Sequence, residues 1–486
     1  MIDKWNPHFL HDIVTIAAAR WPGRVAVVDA GGSWTYTELA ANVNRYATAI
    51  AAAGVRAGDR VLIRATSERW VLAAVHGSSR IGAVAVPVSP DLRPAQREQI
   101  SQDARPALVL TGPPSAAGPA TDLKAVSLPA ASDPAAPVLF LYTSGSTATP
   151  KAVVSSHGPV LFATAAIASR LAYRFDDVVL CRLPLSFDYG LYQAFLTARC
   201  GAALVLRGPG ADGGLLDTAR RLGVTVVPVV PSLATMLIRL ARRGTVPAIR
   251  LFTNTGQELA ADQIAALRQA FPGAAVQLMY GTTECKRVTI EAPDADRLRP
   301  GSLGMPLPGT TVRVVDADGI SVPPGAEGQI TVCGPHLMDG YWRDDELTAR
   351  TYRRDPVTGD RVLYTGDYGH LDDSGHLYFH GRRDQLFKHR GVRTSVAEIE
   401  AAARAVPGVH DVAVLPPHDG AEAVLFASTD LQPGEVLRRL RDRLEPLKVP
   451  ARCQVLARLP LGVTGKTDRT ALAALADEAT ARASHA

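Results

Sequence analysis

Short apolar runs recur along the first 279 residues, and helix-like stretches separate several of them. The runs are 61–63, 85–88, 107–110, 138–142, 178–180, 203–206, 224–227, 249–252 and 275–279. A helix is predicted over 37–53, because Leu39, Val43, Tyr46 and Ile50 share one face and Gly54 can end it. Two more are predicted over 215–222 and 259–271. This alternation predicts parallel sheets covered by helices.

The pattern changes after about residue 300. Short strands are predicted over 311–315, 328–332 and 361–364, between turns of Gly, Pro and Asp, and a hairpin over 372–379. The basic stretch 381–391 marks a boundary, and the residues beyond it suffice for a small domain. We therefore predict an α/β fold in two parts. They are a large N-terminal domain of packed mixed β-sheets with covering helices (1–381) and a small mobile C-terminal α/β domain (382–486).

The composition argues against several classes of protein. The 486 residues are 47% hydrophobic, enough for a large core and more than one domain. The net charge of +5 comes from scattered Lys and Arg, so no nucleic-acid partner is expected. No membrane partner is expected either. No apolar run is long enough to span a bilayer, and residues 1–24 lack the apolar core of a signal peptide. Five widely spaced cysteines without a CxxC pair indicate reduced thiols in a cytoplasmic protein rather than zinc or disulfides.

Three polar segments follow predicted strands, at the end of a sheet where α/β proteins bind ligands. The segment 143–151 (Thr-Ser-Gly-Ser-Thr-Ala-Thr-Pro-Lys) offers hydroxyls, backbone N–H groups and one lysine, which suit a polyphosphate. The same composition also describes a solvated polar linker. The segments 254–258 (Asn-Thr-Gly-Gln-Glu) and 280–284 (Tyr-Gly-Thr-Thr-Glu) add a tyrosine for stacking and a carboxylate that suits Mg²⁺. Each alone is typical of a turn, but together they predict one cleft.

Five motifs in a fixed order give the chain a family resemblance. They are 143–151, 280–284, 364–367 (Tyr-Thr-Gly-Asp), 381–393 with Asp384 and Lys388, and 460–469 around Lys466. In that order they resemble the phosphate loop, the aromatic-Gly-x-Thr-Glu motif, the ribose motif, the hinge and the catalytic-lysine loop of the adenylate-forming superfamily. This superfamily contains acyl- and aryl-CoA synthetases, adenylation domains of nonribosomal peptide synthetases, and luciferases.

The resemblance implies ATP and Mg²⁺ as cofactors and a role for each matching residue. Phosphate contacts are implied for Thr143, Ser144, Gly145, Ser146, Thr147 and Lys151. The rest of the nucleotide would meet Asn254, Thr255, Gly256, Tyr280, Gly281, Thr282, Asp367, Arg382 and Arg393, with Tyr280 stacked on adenine. Thr283 would touch the α-phosphate, Glu284 would hold Mg²⁺, and Asp384 would be the pivot of the C-terminal domain.

Lys466 would bridge the substrate carboxylate and the α-phosphate. A carboxylate that attacks an α-phosphate brings two anions together, so catalysis needs cations aimed at the developing charge rather than a nucleophilic side chain. Without the family pattern, Lys466 would be interpreted as a surface lysine in a Gly-flanked loop. Gly465-Lys466-Thr467 also imitates the end of a Walker A loop, but Pro460 stands where that motif requires Gly.

Three positions need comment beside the family pattern. Ala148 stands where the phosphate loop usually has Gly, and Ala restricts positive φ values. Tyr364 stands where Arg usually precedes the ribose motif. Cys285 follows the metal-site glutamate and is interpreted as a packing residue rather than a nucleophile.

The substrate pocket is expected to include Phe187, Asp188, Tyr189 and Lys286. In amino-acid-activating relatives, an Asp in a similar Phe-Asp segment binds the substrate amine. Asp188 would therefore hold an amine, or equally cap the helix that follows. Lys286 and its neighbour Arg287 would either favour an acidic or hydroxylated acid, or lie on the solvated surface, which is the interpretation preferred from sequence.

The resulting hypothesis is an AMP-forming ligase that activates a carboxylic acid and passes the acyl group to a thiol, of coenzyme A or of a carrier-protein phosphopantetheine. Only 20 residues follow Lys466, so a carrier protein would act in trans. Transfer to an amine, and activation of nitrite towards aryl amines, remain alternatives. Two rival classes are a non-catalytic nucleotide-binding protein and a phosphotransferase that cleaves between the β- and γ-phosphates.

Overall fold

A computed structural model of the chain contains two compact units. The first is Met1–Leu259, Ala265–Val312 and Thr331–Tyr364, and the second is Ala260–Ile264, Arg313–Ile330 and Thr365–Ala486. The structure describes residues 5–92, 94–113, 133–144, 150–171, 173–208, 210, 213–242, 244–355, 358–382, 386–389, 392–417, 422–462 and 466–484.

Strands and helices alternate through most of the described chain. Up to residue 206 they are α1 (Asp12–Arg20), β1 (Val25–Asp29), β2 (Gly32–Thr35), α2 (Tyr36–Ala52), β3 (Arg60–Arg64), α3 (Arg69–Arg80), β4 (Val84–Val88), α4 (Pro94–Ala104), β5 (Leu108–Leu110), β6 (Pro137–Ser144), β7 (Pro150–Ser156), α5 (His157–Leu171), β8 (Val178–Cys181), α6 (Asp188–Cys200) and β9 (Ala203–Leu206). Up to residue 341 they are α7 (Leu215–Arg221), β10 (Val226–Val229), α8 (Pro231–Ala241), β11 (Leu251–Asn254), α9 (Ala261–Ala270), β12 (Ala275–Tyr280), β13 (Thr289–Ile290), β14 (Met305–Pro306), β15 (Thr311–Val315), β16 (Gly328–Cys333) and β17 (Gly340–Tyr341). The remainder are α10 (Asp345–Thr351), β18 (Tyr352–Arg354), β19 (Arg361–Leu371), β20 (Leu377–Arg382), β21 (Leu386–His389), β22 (Val392–Ser395), α11 (Val396–Arg404), β23 (Val409–Leu415), β24 (Val424–Thr429), α12 (Pro433–Arg441), β25 (Arg452–Leu456) and α13 (Arg469–Ser484).

Two large sheets build the first unit. A nine-stranded sheet has the order β14-β13-β12-β11-β10-β8-β9-β1-β2, and a six-stranded sheet has the order β17-β7-β6-β4-β3-β5. The centre of the nine-stranded sheet, from β12 to β1, is parallel. In the six-stranded sheet β5, β3, β4 and β6 are parallel, and β7 returns antiparallel to β6. The predicted parallel strands are therefore present, within sheets of mixed direction.

Helix α2 shows how well an amphipathic sequence pattern predicts the buried face of a helix. The predicted face of Leu39, Val43, Tyr46 and Ile50 is buried, as expected for period 3.6. The helix begins one residue earlier than predicted, because Thr35 accepts a hydrogen bond from the Glu38 N–H at 3.2 Å and the Glu38 carboxylate accepts one from the Thr35 N–H at 2.7 Å. This reciprocal capping box fixes the start of the helix.

Two strand predictions were placed two residues too early. The runs 224–227 and 249–252 correspond to β10 (Val226–Val229) and β11 (Leu251–Asn254). Val224 belongs instead to the end of α7, where its N–H donates to the Ala219 carbonyl at 2.8 Å. Apolar composition alone does not distinguish a residue that packs at the end of a helix from the first residue of a β-strand.

The second unit contains a small sheet with two apolar faces. Strands β23, β24 and β25 are adjacent in that order. Val412, Val414, Leu425 and Ala427 face the cluster that includes Val436 of α12, and the alternate residues face the cluster of α13 around Leu472. A strand with both faces covered shows this alternation between two cores.

Of the three strands predicted between residues 311 and 364, β15 has the predicted bounds, β16 is one residue longer, and β19 is much longer. A five-stranded sheet has the order β15-β16-β19-β18, with β20 beside β19. The strand predicted over 361–364 continues to Leu371, through the Thr-Gly-Asp motif. Gly366 lies within it at φ +76°, a conformation that a sequence pattern does not reveal. The predicted hairpin is present, since residues 367–371 pair antiparallel with 377–382.

The predicted fold class, a mixed α/β protein with a large sheet-rich N-terminal domain and a small C-terminal domain, is confirmed. No described helix is long and apolar enough to cross a membrane.

Candidate active site

Two of the three polar segments leave the same edge of the nine-stranded sheet. β11 and β12 are parallel neighbours, with Asn254 opposite Leu278, so 254–258 and 280–284 both follow carboxyl ends there. Asn254 is buried and its side-chain amide donates to the Val229 carbonyl at 3.1 Å. The buried Thr255 hydroxyl has no hydrogen-bond partner among the described residues. A buried hydroxyl without a partner is costly, so this edge suits a polar ligand.

The third segment connects the antiparallel strands β6 and β7, with Thr143 opposite Lys151. Lys151 therefore lies on a strand rather than in a loop. Gly145, Ser146, Thr147 and the unusual Ala148 lie outside the described residues, as does the side chain of Ser144.

A tight turn follows β12 and buries the residues after Glu284. At Gly281 a Cβ atom would lie 1.9 Å from the Lys286 carbonyl oxygen, so only glycine fits. Lys286 has φ +62°, and the Val288 N–H donates back to the Tyr280 carbonyl at 2.9 Å. Cys285 is fully buried in this turn, and burial raises the pKa of its thiol to about 12. It is therefore a packing residue, as predicted, since an activated thiol needs a lowered pKa.

The expectation that Lys286 and Arg287 are solvated surface residues is wrong. Lys286 is 0% exposed, and the Arg287 side chain is 5% exposed. The turn directs both side chains inward, towards α6. The Arg287 guanidinium lies over the Tyr189 ring at 4.8 Å, and Nη1 lies 3.0 Å from Oδ2 of Asp188, whose side chain is also 5% exposed.

Asp188 does not cap α6. It is the first residue of the helix, the N-cap residue Phe187 makes no side-chain capping bond, and the carboxylate pairs with Arg287 instead. Tyr189 is buried beside it and donates from its hydroxyl to the Thr253 carbonyl at 2.6 Å. The network therefore connects the start of α6, the 284–287 turn and the end of β11.

Lys286 is the least solvated charge in this region. Burial lowers the pKa of its ammonium to about 8, although Asp188 and Glu284 oppose the shift. Its Nζ donates to the Thr283 carbonyl at 2.9 Å and lies 5.8 Å from the centre of the Tyr192 ring. Among the described residues, the ammonium has no carboxylate within salt-bridge distance.

Glu284 is held at both its side chain and its backbone. Tyr341 donates to Oε1 at 2.7 Å, while the Tyr352 hydroxyl and the Met338 N–H donate to the carbonyl at 3.1 and 2.9 Å. Within the described residues Oε2 accepts no hydrogen bond. One carboxylate oxygen that is fixed, next to one that is available, fits a Mg²⁺ ion that also binds phosphate oxygens.

Segment 338–342 connects Glu284 to the strand that carries Lys151. Gly340 and Tyr341 pair with Val154 and Val153 of β7. The phosphate-loop strand and the predicted metal ligand are thus in one connected part of the first unit.

In the second unit the structure brings Asp367 and Arg382 together. They are opposite each other in the β19–β20 pair, with Arg382 Nε 3.5 Å from Asp367 Oδ1. The Asp367 N–H donates to the Thr365 hydroxyl at 3.0 Å.

Lys466 is half-buried and precedes Thr467, which forms a bridge with Leu461. Its carbonyl accepts from the Gly462 N–H at 2.7 Å. Asp384 and the side chain of Arg393 lie outside the described residues.

Two side chains of the region need comment beside the sequence predictions. Arg287 was considered with Lys286 for the substrate pocket, but the solvated surface was preferred. Tyr341 belongs to the aromatic pair Tyr341-Trp342 after a glycine, a signal that would have indicated a packed segment but not its contact with Glu284.

The fold and the arrangement of these groups resemble those of the AMP-binding enzymes. The sequence pattern of the AMP-binding enzyme family matches residues 14–342, and that of the AMP-binding enzyme C-terminal domain matches residues 398–466. The chain belongs to the AMP-binding enzyme family, and its relatives include CoA ligases and a probable nonribosomal peptide synthetase.

Three similar proteins illustrate the range of the family. A plipastatin synthase subunit of Bacillus subtilis (strain 168) is 30% identical over 499 residues, which are 96% of this chain and 19% of that protein. The chain thus spans about a fifth of that relative. The 3-hydroxybenzoate–CoA ligase of Aromatoleum sp. (strain CIB) is 29% identical over 494 residues, covering 91% and 92% of the two chains. The solved structure of VinN with L-aspartate is 39% identical, with a TM-score of 0.68 over 77% of this chain and 98% of that one.

Proposed function

We propose that this protein activates a carboxylic acid with MgATP to an acyl-adenylate and then transfers the acyl group to a thiol. In the first step an oxygen of the carboxylate attacks the α-phosphorus, and the bond to the β-phosphate oxygen breaks to release pyrophosphate. Family membership and the polar edge beside Glu284 support this proposal.

The nucleotide is assigned to three groups of residues. The α-, β- and γ-phosphates meet Thr143, Ser144, Gly145, Ser146, Thr147, Lys151 and Thr283; the base and its surroundings meet Asn254, Thr255, Gly256, Tyr280, Gly281 and Thr282; and the ribose side meets Asp367, Arg382 and Arg393. The buried hydroxyl of Thr255 supports the second group. The Asp367–Arg382 pair supports the third.

Two residues offset the negative charge of the phosphates and of the attacking carboxylate. Glu284 holds Mg²⁺, which neutralises phosphate charge when it is bound. Lys466 donates to the substrate carboxylate and the α-phosphate, and so stabilises the charge that develops between two anions.

The substrate that fits best is an amino acid with a second acidic group. The main support for an acidic substrate group is the buried cluster of Asp188, Lys286 and Arg287, in which two cations accompany one carboxylate. Buried charges need partners, so the surplus cation calls for an anion from the substrate. An acidic group of the substrate held by Lys286 and Arg287 would balance the surplus cation. A substrate amine would take Asp188 as its partner and add one cation, so its support comes from the resemblance to VinN and not from this charge balance. The L-aspartate complex of VinN supports this class.

One contact favours a second candidate, an aryl or hydroxy acid without an amine. Asp188 already has a partner in Arg287 and therefore does not require an amine. The resemblance to a 3-hydroxybenzoate–CoA ligase is consistent with that class.

A thiol acceptor, of coenzyme A or of a carrier-protein phosphopantetheine in trans, completes the proposed reaction. CoA ligases and carrier-dependent synthetases among the relatives support both forms. We further propose that residues 382–486 move as a lid about Asp384 between the two steps.

Pyrophosphate release against a panel of acids tests the proposal. The panel contains aspartate, longer amino dicarboxylic acids that carry the amine on a different carbon, succinate, alanine and hydroxybenzoates. The strongest release is expected with an amino dicarboxylic acid, with AMP as the nucleotide product. Release with a hydroxybenzoate but not with aspartate would favour the second candidate, and release with succinate but not with aspartate would show that the site takes an acidic group without an amine. ADP as the product would overturn the AMP-forming class altogether.

A further inference from the structure

The predicted metal ligand is oriented by a neighbouring phenol. Tyr341 donates to Oε1 of Glu284 at 2.7 Å, and a hydrogen bond to a charged carboxylate is stronger than one between neutral groups. The second phenol, of Tyr352, donates to the backbone carbonyl of Glu284, which also accepts from the Met338 N–H. One tyrosine therefore fixes the carboxylate, and the other helps to fix the backbone.

The Tyr341 side chain is itself held in place. Its residue pairs with Val153 across β7 and β17, and its N–H donates to the Thr348 hydroxyl at 2.9 Å. At Gly340, with φ +142°, a Cβ atom would lie 2.5 Å from Thr348 Cγ2, so the close contact between β17 and α10 requires glycine. The ring of Tyr352 packs against that of Tyr341, with centroids 6.4 Å apart. The phenol therefore approaches Glu284 from a rigid segment.

We propose that Tyr341 is a positioning residue for the divalent cation, which turns Glu284 so that Oε2 is presented to the Mg²⁺ of MgATP. This rests on the proposed function of Glu284 as the metal ligand. A carboxylate with one oxygen fixed loses less rotational freedom when the other oxygen binds a cation. Groups that hold a metal ligand through its remaining hydrogen-bonding atom commonly contribute about 10–100-fold to metal affinity.

The arrangement also couples two parts of the phosphate site. β17 pairs with β7, and Lys151 lies two residues from the paired Val153. A shift of β7 would move the phenol and the lysine together. Tyr341 thereby keeps Glu284, the proposed metal ligand, at a fixed distance from Lys151, the proposed phosphate ligand. Residues on a rigid segment hold such a distance better than residues on a mobile loop.

The test compares Tyr341→Phe with two matched losses of a phenol hydroxyl. Tyr352→Phe removes the backbone contact of Glu284, whose carbonyl keeps its bond from Met338. Tyr36→Phe removes a buried hydroxyl that donates to the carbonyls of Thr197 and Ala202, away from the proposed site. Mn²⁺ binding in the presence of a non-hydrolysable ATP analogue is measured by electron paramagnetic resonance. The Mg²⁺ concentration for half-maximal pyrophosphate release is measured in parallel.

Tyr341→Phe is expected to weaken Mn²⁺ binding about 10–100-fold and to raise the half-maximal Mg²⁺ concentration alike, with kcat at saturating Mg²⁺ changed by less than about threefold. Tyr352→Phe is expected to lower the melting temperature while changing metal affinity less than Tyr341→Phe. Tyr36→Phe should leave metal affinity at the wild-type value. Equal metal affinity in Tyr341→Phe and wild type, or an equal loss in Tyr341→Phe and Tyr36→Phe, overturns the proposal.

Glu284→Gln separates this proposal from the function on which it rests. Loss of Mn²⁺ binding in Glu284→Gln supports the metal role of the carboxylate, and Tyr341→Phe then tests its positioning. Wild-type Mn²⁺ binding in Glu284→Gln overturns the metal role itself, whatever Tyr341→Phe shows.

Discussion

The charged residues of the two units differ in how much water they keep. In the first unit Lys286 is 0% exposed, and the side chains of Asp188 and Arg287 are 5% exposed. In the second unit the Arg382 side chain is 54% exposed, and Lys466 is half-buried. A buried charge has lost its hydration before any ligand arrives, whereas an exposed charge is screened and contributes little to stability.

The difference indicates two ways of using charge in one protein. We propose that the buried cluster selects the substrate, because a ligand of the wrong charge would leave buried cations unpaired. We propose that Arg382 and Lys466, which are less buried, act on the nucleotide when it is bound. Substitutions in the first unit should therefore change stability and selectivity together, and those in the second should change the rate alone.

The largest separation of rate from stability is expected for Lys466→Ala. Pyrophosphate release should fall by about 10³-fold, since one donor to a developing charge is removed. The free energy of unfolding should change by no more than about 0.5 kcal/mol, as for other surface substitutions. Lys448→Ala is the matched control, because Lys448 pairs with Glu398 and Glu445 within the same unit. Undiminished release by Lys466→Ala would remove this lysine from the reaction.

Asp188→Ala tests the buried side of the comparison. Two cations would remain buried without their carboxylate, and the free energy of unfolding should fall by about 3–5 kcal/mol in urea titrations. The double variant Asp188→Leu with Arg287→Met removes both partners and should recover most of that loss. A midpoint unchanged by Asp188→Ala would show that the cluster is solvated in solution.

Asp384→Pro addresses the proposed movement between steps. Proline fixes φ and so restricts rotation at the pivot, which should slow acyl transfer by about 10²-fold in single-turnover experiments. Adenylate formation should keep nearly its wild-type rate. If both half-reactions slow by the same factor, Asp384 is not a pivot.

The smallest effect expected is the pH dependence that Lys286 confers. Burial lowers its pKa from 10.5 to about 8, so the ammonium that attracts an anionic substrate is present below pH 8 and lost above it. The kcat/KM for the acid should then fall about tenfold per pH unit above 8. Lys286→Arg, which stays charged, should move this decline to higher pH. The same decline in Lys286→Arg and wild type would assign it to another group.

Apolar elements and short motifs were predictable from the sequence, whereas the burial of the charged cluster was not. The buried face of α2 and the strand positions of β3, β4 and β12 came from apolar periodicity, which reports burial directly. The Tyr280–Glu284 and Thr-Gly-Asp motifs were found because short motifs keep their residue types. The burial of Lys286 and Arg287 was not predicted, because it depends on the backbone turn at Gly281 and the positive φ of Lys286.

The contacts between residues far apart in the chain of the first unit could not be predicted from one sequence either. Tyr341 and Glu284 are 57 residues apart, and Arg287 and Asp188 are 99 apart. No local pattern links such pairs, since their contact arises from the pairing of β7 with β17 and from the packing of α6 against the turn after β12. The predicted roles of Lys466, Asp367 and the phosphate loop remain proposals.

The most direct test of the central claim follows oxygen from the acid to the nucleotide. The acid with the strongest pyrophosphate release is labelled with ¹⁸O in both oxygens of its reacting carboxylate, and the products of complete turnover with a thiol acceptor are examined by phosphorus NMR and mass spectrometry. Attack of the carboxylate on the α-phosphorus followed by thiol transfer must leave one ¹⁸O in AMP and none in pyrophosphate. Label in inorganic phosphate, or AMP without label, would contradict an acyl-adenylate as the product of this site.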